Sequence, residues 1–310
     1  MILAANVNQT NLKKKMLFDT GNITLDTIFS PLLASKNVSL SILRLDKIHP
    51  VVSGNKLFKL HYFLAEAMQH PHKTVVTFGG AYSNHLVATA FACKALQLKC
   101  KAFVRGEKPS ALSHTLVNCL DMGMHLEFLS REDYALISSA PPFIEESILV
   151  PEGGYHPTGA RGASLIMDQI KDMDISHICT AAGTATTLAG LLINAGYIQN
   201  IICIPVLKGF TDLPHRLQYL TGKKQYDNLT VFNDYHFNGY AKKTKELITF
   251  MNDVYQQFEL PTDFVYTAKM MFGIFDQVKK GFFKEGSNIV CIHTGGLQGN
   301  LSLPTGSLIF

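Results

Sequence analysis

Charge is scarce in this 310-residue chain: Asp, Glu, Lys and Arg make up 17% of it, against 47% apolar residues, for a net charge of +4. A chain so apolar and so weakly charged is not a disordered one. No basic run extends beyond Lys13-Lys14-Lys15. That triplet reads as a solvated face and gives no nucleic-acid footprint. No apolar run is long enough to span a bilayer, so no membrane association is expected. The apolar start, Met1 to Ala5, precedes the lysines, the reverse of the order in a secretory signal. The six cysteines (Cys93, Cys100, Cys119, Cys179, Cys203, Cys291) include no Cys-x-x-Cys pair. This argues against a zinc site or a disulfide scaffold; buried free thiols in a reducing cytoplasm are expected, and no metal. Internal repeats and low-complexity segments are lacking too.

What is present is alternation. Short apolar β-branched runs are expected as strands at Val38 to Leu45, Lys73 to Phe78, Lys99 to Val104, Met124 to Leu129, Ile175 to Thr180, Ile201 to Leu207 and Asn288 to His293. Helical periodicity is expected over Gly54 to Met68, Ser83 to Leu96, Ser110 to Met122, Arg161 to Met173, Thr186 to Ala195, Lys242 to Phe258 and Lys269 to Lys280. Apolar strands alternating with helices predict an α/β protein with parallel sheet covered on both faces. The Pro-, Gly- and Ser-rich stretch Ser138 to Pro157 reads as a domain hinge or a loop. The length allows one large domain or two smaller ones.

Lys56 and Lys59 lie one turn apart where Val52 to Leu60 passes from extended chain into helix. The positive end of a helix macrodipole repels a lysine. A nearby anion, or a covalent task for an amine, would account for both. Four strand–turn–helix junctions bear on that question, and in parallel sheets such turns bind ligands at the carboxyl ends of strands. Cys179 to Gly190 carries Gly183, Thr184, Ala185, Thr186 and Thr187. Its N–H groups and hydroxyls make a phosphate cup, or an ordinary Thr cap with a Gly turn, and the two readings weigh about equally. The segment is neither a Walker loop nor Gly-x-Gly-x-x-Gly, which disfavours a dinucleotide. Gly79-Gly80-Ala81-Tyr82-Ser83-Asn84-His85 leads into a helix, where Ser83 and Asn84 alone would be routine caps. His293-Thr294-Gly295-Gly296 permits close backbone approach after the last strand. Tyr266 and Thr267 precede another helix, and alone would be a buried structural pair.

Together these segments resemble one family. Gly54-Asn55-Lys56, Gly79-Gly80-x-x-Ser83-Asn84, Gly183-Thr184-x-Thr186-Thr187-x-Ala189-Gly190, Val265-Tyr266-Thr267 and His293-Thr294-Gly295-Gly296 occur in the family's order. The chain is similar to pyridoxal-phosphate enzymes of the tryptophan-synthase-β type (fold type II), within the 1-aminocyclopropane-1-carboxylate deaminase/D-cysteine desulfhydrase group. The resemblance implies pyridoxal 5'-phosphate as cofactor, a small amino-acid substrate, a homodimer and a cytoplasmic location. It implies two unequal domains: 59–160 as a small α/β domain inserted into a large one of 1–58 and 161–310, with the cofactor in the cleft between. Lys56 would form the Schiff base and carry the α-proton. Lys59 and Gly183 to Thr187 would hold the phosphate. Asn84 would lie against the ring, Asn55 near its 3-hydroxyl and Thr267 at the pyridine nitrogen. Ser83 and His85 would face the substrate carboxylate, and Tyr240 and Tyr266 would approach from the far face.

Two positions bear on the activity. The deaminases carry Glu where this chain has Thr267, and Ser-Asn-Gln where it has Ser83-Asn84-His85. A carboxylate would keep the pyridine nitrogen protonated and deepen the electron sink, which a hydroxyl cannot do. Expelling thiolate from Cβ needs less carbanion stabilisation than opening a cyclopropane. Both positions favour α,β-elimination from a small β-thiol amino acid, giving pyruvate, ammonia and sulfide. The alternatives are ring opening of the cyclopropane substrate to 2-oxobutanoate and ammonia, a dehydratase or racemase on the same fold, and a non-catalytic binder of pyridoxal phosphate. Ser53, Phe58 and Ala81-Tyr82 depart from the family pattern. Tyr82 in particular would narrow a substrate pocket.

Overall fold

The computed structural model describes residues 16–50, 52, 54–139, 147–196 and 199–310. The Met1–Ala5 start, the Lys13–Lys15 triplet, Ser53 and part of the Ser138–Pro157 stretch lie outside them. The described strands are β1 (Leu25–Ile28), β2 (Ser39–Arg44), β3 (Thr74–Gly79), β4 (Lys99–Arg105), β5 (His125–Leu129), β6 (Ser147–Val150), β7 (His177–Ala182), β8 (Asn200–Pro205), β9 (Leu229–Val231) and β10 (Asn288–His293). The helices are α1 (Pro31–Ser35), α2 (Lys56–Gln69), α3 (Asn84–Ala95), α4 (His114–Asp121), α5 (Arg131–Ser139), α6 (Pro157–Ser164), α7 (Thr186–Asn194), α8 (Leu213–Thr221), α9 (Lys245–Phe258) and α10 (Thr267–Lys279). None of the described helices is long and apolar enough to cross a membrane.

The chain divides into two compact units, with breaks between Gly21 and Asn22, between Asn55 and Lys56, and between Gly162 and Ala163. The larger comprises Asn22–Asn55 and Ala163–Phe310. Its six strands lie in the order β1-β2-β10-β7-β8-β9, all parallel except for the antiparallel edge pair β1/β2. Cys179 and Ala181 of β7 pack in one core with Ile202 and Ile204 of β8, Ile289 and Cys291 of β10, and Met270, Met271 and Ile274 of α10. Strand side chains alternate between faces, so Ile178 and Thr180 point to the other side. They are buried as well, and β8 and β10 are buried along almost their whole length. Both faces of this sheet are therefore covered, as the unbroken apolar runs predict.

The smaller unit comprises Lys56–Gly162 together with 16–21. Its sheet is fully parallel, in the order β5-β4-β3-β6. Val76, Phe78 and Phe103 pack there with Tyr134 of α5. α3 is buried nearly all round, from His85 to Cys93, and packs against α2 and α4.

Two sequence expectations are corrected. The Ser138–Pro157 stretch is more than a loop, because β6 pairs with β3 from Thr74↔Ser147 to Thr77↔Val150. The helix expected from Arg161 to Met173 starts earlier, at Pro157, and gives way to a 3-10 turn over Leu165–Gln169. Proline suits the first helical position, where a missing N–H costs nothing. The His156 ring adds a cap, its Nδ1 accepting from the Thr158 N–H at 3.1 Å.

Candidate active site

In the smaller unit, the site begins where α2 does. Lys56 is its first residue and is half-buried; Lys59 follows one turn later and is buried. The Lys59 Nζ has a single described hydrogen bond, to Gly153 O at 3.4 Å. Glycine at 154 lets that loop lie against the lysine stem, since a Cβ there would sit 3.2 Å from Lys59 Cβ. Burial pushes the Lys59 pKa well below the ordinary lysine value, and the charge of Lys56 adds to the effect. A buried ammonium with no carboxylate partner among the described residues is poised to accept an anion.

The turn after β3 supplies the second element. Ser83 caps α3, its Oγ accepting from Leu86 N at 3.4 Å. Asn84 opens the helix, and its Oδ1 is buried without a partner. His85 is buried, with Nε2 at 2.8 Å from Thr77 Oγ1. Thr77 already donates its proton to Val150 O at 2.8 Å, so it can only accept from His85. This fixes the proton of His85 on Nε2 and leaves Nδ1 as a buried acceptor without a partner. Burial, then the charges of Lys56 and Lys59, lower the His85 pKa to about 3. The ring is thus neutral and offers no free N–H, so a place beside a substrate carboxylate has no donor behind it. Tyr82 is exposed, its ring 6.0 Å from that of His114.

In the larger unit, β7 runs into Gly183 and α7 begins at Thr186. Ala185 is held in the left-handed region, with φ 64°, where a side chain is disfavoured. This conformation lies at the helix start, whose first N–H groups have no intrahelical acceptor. Thr184 Oγ1 and Thr186 Oγ1 are 2.9 Å apart, so one hydroxyl bonds the other. Asn55 Nδ2 donates to Thr187 Oγ1 at 2.6 Å, and Asn55 N donates to Thr294 O at 3.2 Å. Gly54 makes that approach possible: its φ is +87°, and a Cβ would fall 1.8 Å from Thr294 O. The residue before Lys56 is thereby tied to both the cup and the last sheet turn.

Tyr266 lies over the same cup, since a Cβ on Gly183 would be 3.2 Å from its Cε1. Tyr266 Oη donates to Tyr240 Oη at 3.2 Å. Thr267 is fully buried; its hydroxyl donates to Asp263 Oδ2 at 2.7 Å and accepts from Asp263 N at 2.7 Å. Its proton is therefore committed within the protein. Asp263 also receives the N–H groups of Val265, Tyr266 and Thr267.

Several residues at the site carried no role in the sequence reading. Asp263 fixes the turn that bears Tyr266. Arg44 pairs bidentately with Asp46, at 2.8 and 2.7 Å, and Asp46 Oδ1 lies 3.1 Å from His293 Nδ1, next to Thr294. The only sequence signal for these was polar residues embedded in apolar surroundings.

Each unit by itself carries groups that suit part of a phosphate-bearing aromatic aldehyde. The α7 start and the threonine hydroxyls suit a phosphate. Within the smaller unit, Lys59 offers a buried amine without a carboxylate partner among the described residues, Lys56 a second amine, and Asn84 an amide oxygen without a partner. Among the described residues no cluster of His, Cys, Asp or Glu could hold a metal ion.

Residues 23–295 match the model of the pyridoxal-phosphate dependent enzymes. A Thermotoga maritima protein, provisionally named a 1-aminocyclopropane-1-carboxylate deaminase, is 32% identical over 84% of this chain and 89% of its own length. The bifunctional D-cysteine desulfhydrase/1-aminocyclopropane-1-carboxylate deaminase of Arabidopsis thaliana, named as mitochondrial, is 29% identical over 80% of this chain and 70% of its own. The crystal structure of a 1-aminocyclopropane-1-carboxylate deaminase homologue shares the fold, with a TM-score of 0.75 over 90% of each chain at 24% identity. The chain belongs to the pyridoxal-phosphate-dependent enzymes, in their 1-aminocyclopropane-1-carboxylate deaminase/D-cysteine desulfhydrase group.

Proposed function

We propose that this enzyme is a D-cysteine desulfhydrase. It would remove the α-proton and the β-thiol of a small amino acid, and with one water yield pyruvate, ammonia and sulfide. One observation carries the choice over the deaminase: position 267 holds a threonine whose proton goes to Asp263 Oδ2. It supplies neither a carboxylate nor a free proton to a pyridine nitrogen. That suits a reaction with a good leaving group on Cβ.

When bound, the cofactor supplies the electron sink for cleavage at Cα and Cβ. The protein residues do the rest. Lys56 provides the amine that holds the cofactor and then moves the α-proton. Lys59 and the N–H groups and hydroxyls of Gly183 to Thr187 bind its phosphate. Asn55 and Asn84 orient its ring. Ser83 donates to the substrate carboxylate, and His85 enters as a neutral acceptor. Tyr240 and Tyr266 serve as proton donors or acceptors for the substrate. A small domain of 59–160 inserted in the larger one, supported by chain breaks near both boundaries, a homodimer, and a reducing cytoplasm, supported by six buried free thiols, complete the reading.

The test is to incubate purified, pyridoxal-phosphate-loaded protein with D-cysteine, L-cysteine, D-serine and 1-aminocyclopropane-1-carboxylate, then assay sulfide and keto acid. Sulfide with pyruvate from D-cysteine is expected. The relatives' names favour ring opening as the second reading. Keto acid from the cyclopropane amino acid with no sulfide from either cysteine would establish it instead. A visible absorption band that disappears in Lys56→Ala, without turnover of any of the four, would mark a non-catalytic binder.

A further inference from the structure

Lys269 sits three residues beyond Tyr266 on α10, among Ala268, Met270 and Met271, and is fully buried. A buried lysine needs a reason. Its Nζ donates to two main-chain carbonyls, His236 O at 2.9 Å and Gly239 O at 2.7 Å. No carboxylate lies in salt-bridge distance of it among the described residues. Both acceptors belong to the segment that carries Tyr240. That segment is strained: Phe237 (φ 48°), Asn238 (φ 67°), Gly239 (φ 115°) and Ala241 (φ 52°) all occupy left-handed conformations. Three of the four carry side chains, so each adds a cost that surrounding contacts must offset. At its far end, Tyr240 Oη meets Tyr266 Oη at 3.2 Å, with the rings 5.9 Å apart at 71°.

We propose that Lys269 is a positioning residue that clasps the His236–Gly239 segment in its strained form and so holds the Tyr240 hydroxyl against Tyr266. One helix start thereby sets both tyrosines. Tyr266 is set directly, through the Asp263 cap on its N–H, and Tyr240 through the Lys269 ammonium. An apolar residue could fill the same space but would take one of two donors from each carbonyl: His236 O also accepts from Gly239 N at 3.0 Å and Gly239 O from Lys242 N at 3.2 Å, bonds within the segment that do not tie it to α10. Burial lowers the Lys269 pKa to about 8, against the opposing pull of Asp263, so at neutral pH it still carries three donors for its two carbonyls. The catalytic consequence rests on the tyrosine roles assigned under the proposed function; the clasp itself does not.

The experiment is a double-mutant cycle of Lys269→Met and Tyr240→Phe in the pyridoxal-phosphate-loaded protein, with exposed Lys279→Met as control. Sulfide release from D-cysteine gives kcat and KM, and hydrogen exchange follows the amides of 236–241. Lys269→Met should lower kcat/KM tenfold or more in the wild-type background and less than twofold in the Tyr240→Phe background. It should also speed exchange across 236–241, while Lys279→Met changes neither. Equal losses in both backgrounds, or unchanged exchange in 236–241, would overturn the proposal. If the wild type releases no sulfide, the desulfhydrase reading fails. The cycle is then run on whichever amino acid turns over, and without one the exchange arm alone decides. Should Lys269→Met fold poorly, Lys269→Gln, which keeps a donor, should recover part of the protection; no recovery in a folded protein counts against the clasp.

Discussion

Lys59 sets two requirements against each other. Among the described residues its buried amine meets a single long carbonyl contact, so in the cofactor-free protein its charge is a cost. In the proposed role, a bound phosphate would make it a charge-assisted partner, a contact of about 1.5–3 kcal/mol. Lys59→Met should therefore have opposite effects on the two forms. Cofactor-free protein should unfold at equal or higher urea concentration, since replacing a poorly paired buried charge with an apolar side chain is neutral or stabilising. Affinity for pyridoxal phosphate, titrated by absorbance, should fall on the order of 10- to 100-fold. Unchanged affinity would remove Lys59 from the phosphate site. The two lysines were legible in the sequence because a lysine in a first helical turn is out of place by local electrostatics alone. Lys269 and Asp263 were not, since their meaning lies in hydrogen bonds to His236, Gly239 and a helix start, partners that spacing does not reveal. The tautomer of His85 likewise follows only from Thr77 and Val150 meeting across β3 and β6.

Elements were legible where they are long and apolar, and illegible where they are short. β10 was expected and found over the same residues, Asn288–His293. β6, with four residues, and β9, with three, are edge strands that a turn-rich or polar neighbourhood conceals. The helix starts were legible from small polar residues, yet the backbone shape of the cup was not. Ala185 carries φ 64° at the start of α7, where sequence would have suggested glycine. This makes a prediction specific to that junction. Ala185→Gly keeps the conformation without its steric cost, so pyridoxal-phosphate affinity should stay within about twofold of wild type. Ala185→Val puts a β-branched residue where such residues are outliers, at roughly 1–3 kcal/mol. Its affinity should fall by on the order of tenfold or more, with a lower melting temperature. Equal affinities for the two variants would mean the cup does not depend on this backbone geometry. At the start of α10, Asp263→Ala removes the acceptor of three N–H groups and one hydroxyl. About 2–4 kcal/mol of stability should go with it, measured by urea unfolding. kcat/KM should fall with it, because the turn that aims Tyr266 is no longer fixed.

For the whole molecule, two buried imidazoles of the smaller unit contribute to how stability responds to acid. Burial, then the charges of Lys56 and Lys59, lower His85 to about 3. Burial, then the charge of Arg161, lowers His61 to about 4. In the unfolded chain both rings titrate near the ordinary value of about 6.5. Between about 4 and 6.5 the unfolded chain therefore holds more protons than the native one, and native stability rises with pH across that window. Read toward acid, the loss begins as pH falls through the unfolded value. It continues until the native rings themselves accept protons, at about 4 for His61 and about 3 for His85. Urea unfolding of the wild type should thus show a smaller unfolding free energy at pH 5 than at pH 7.5. His85→Gln does not titrate, and an amide can still donate to Thr77, so the difference between the two pH values should shrink. The remainder should shrink again in His61→Gln/His85→Gln. Lys59→Met removes one of the charges that holds His85 neutral, so it should narrow the window from its acid side. A pH dependence identical in wild type and His85→Gln would show that the native fold does not lower the His85 pKa, and the ring would then not stay a neutral acceptor at pH 5.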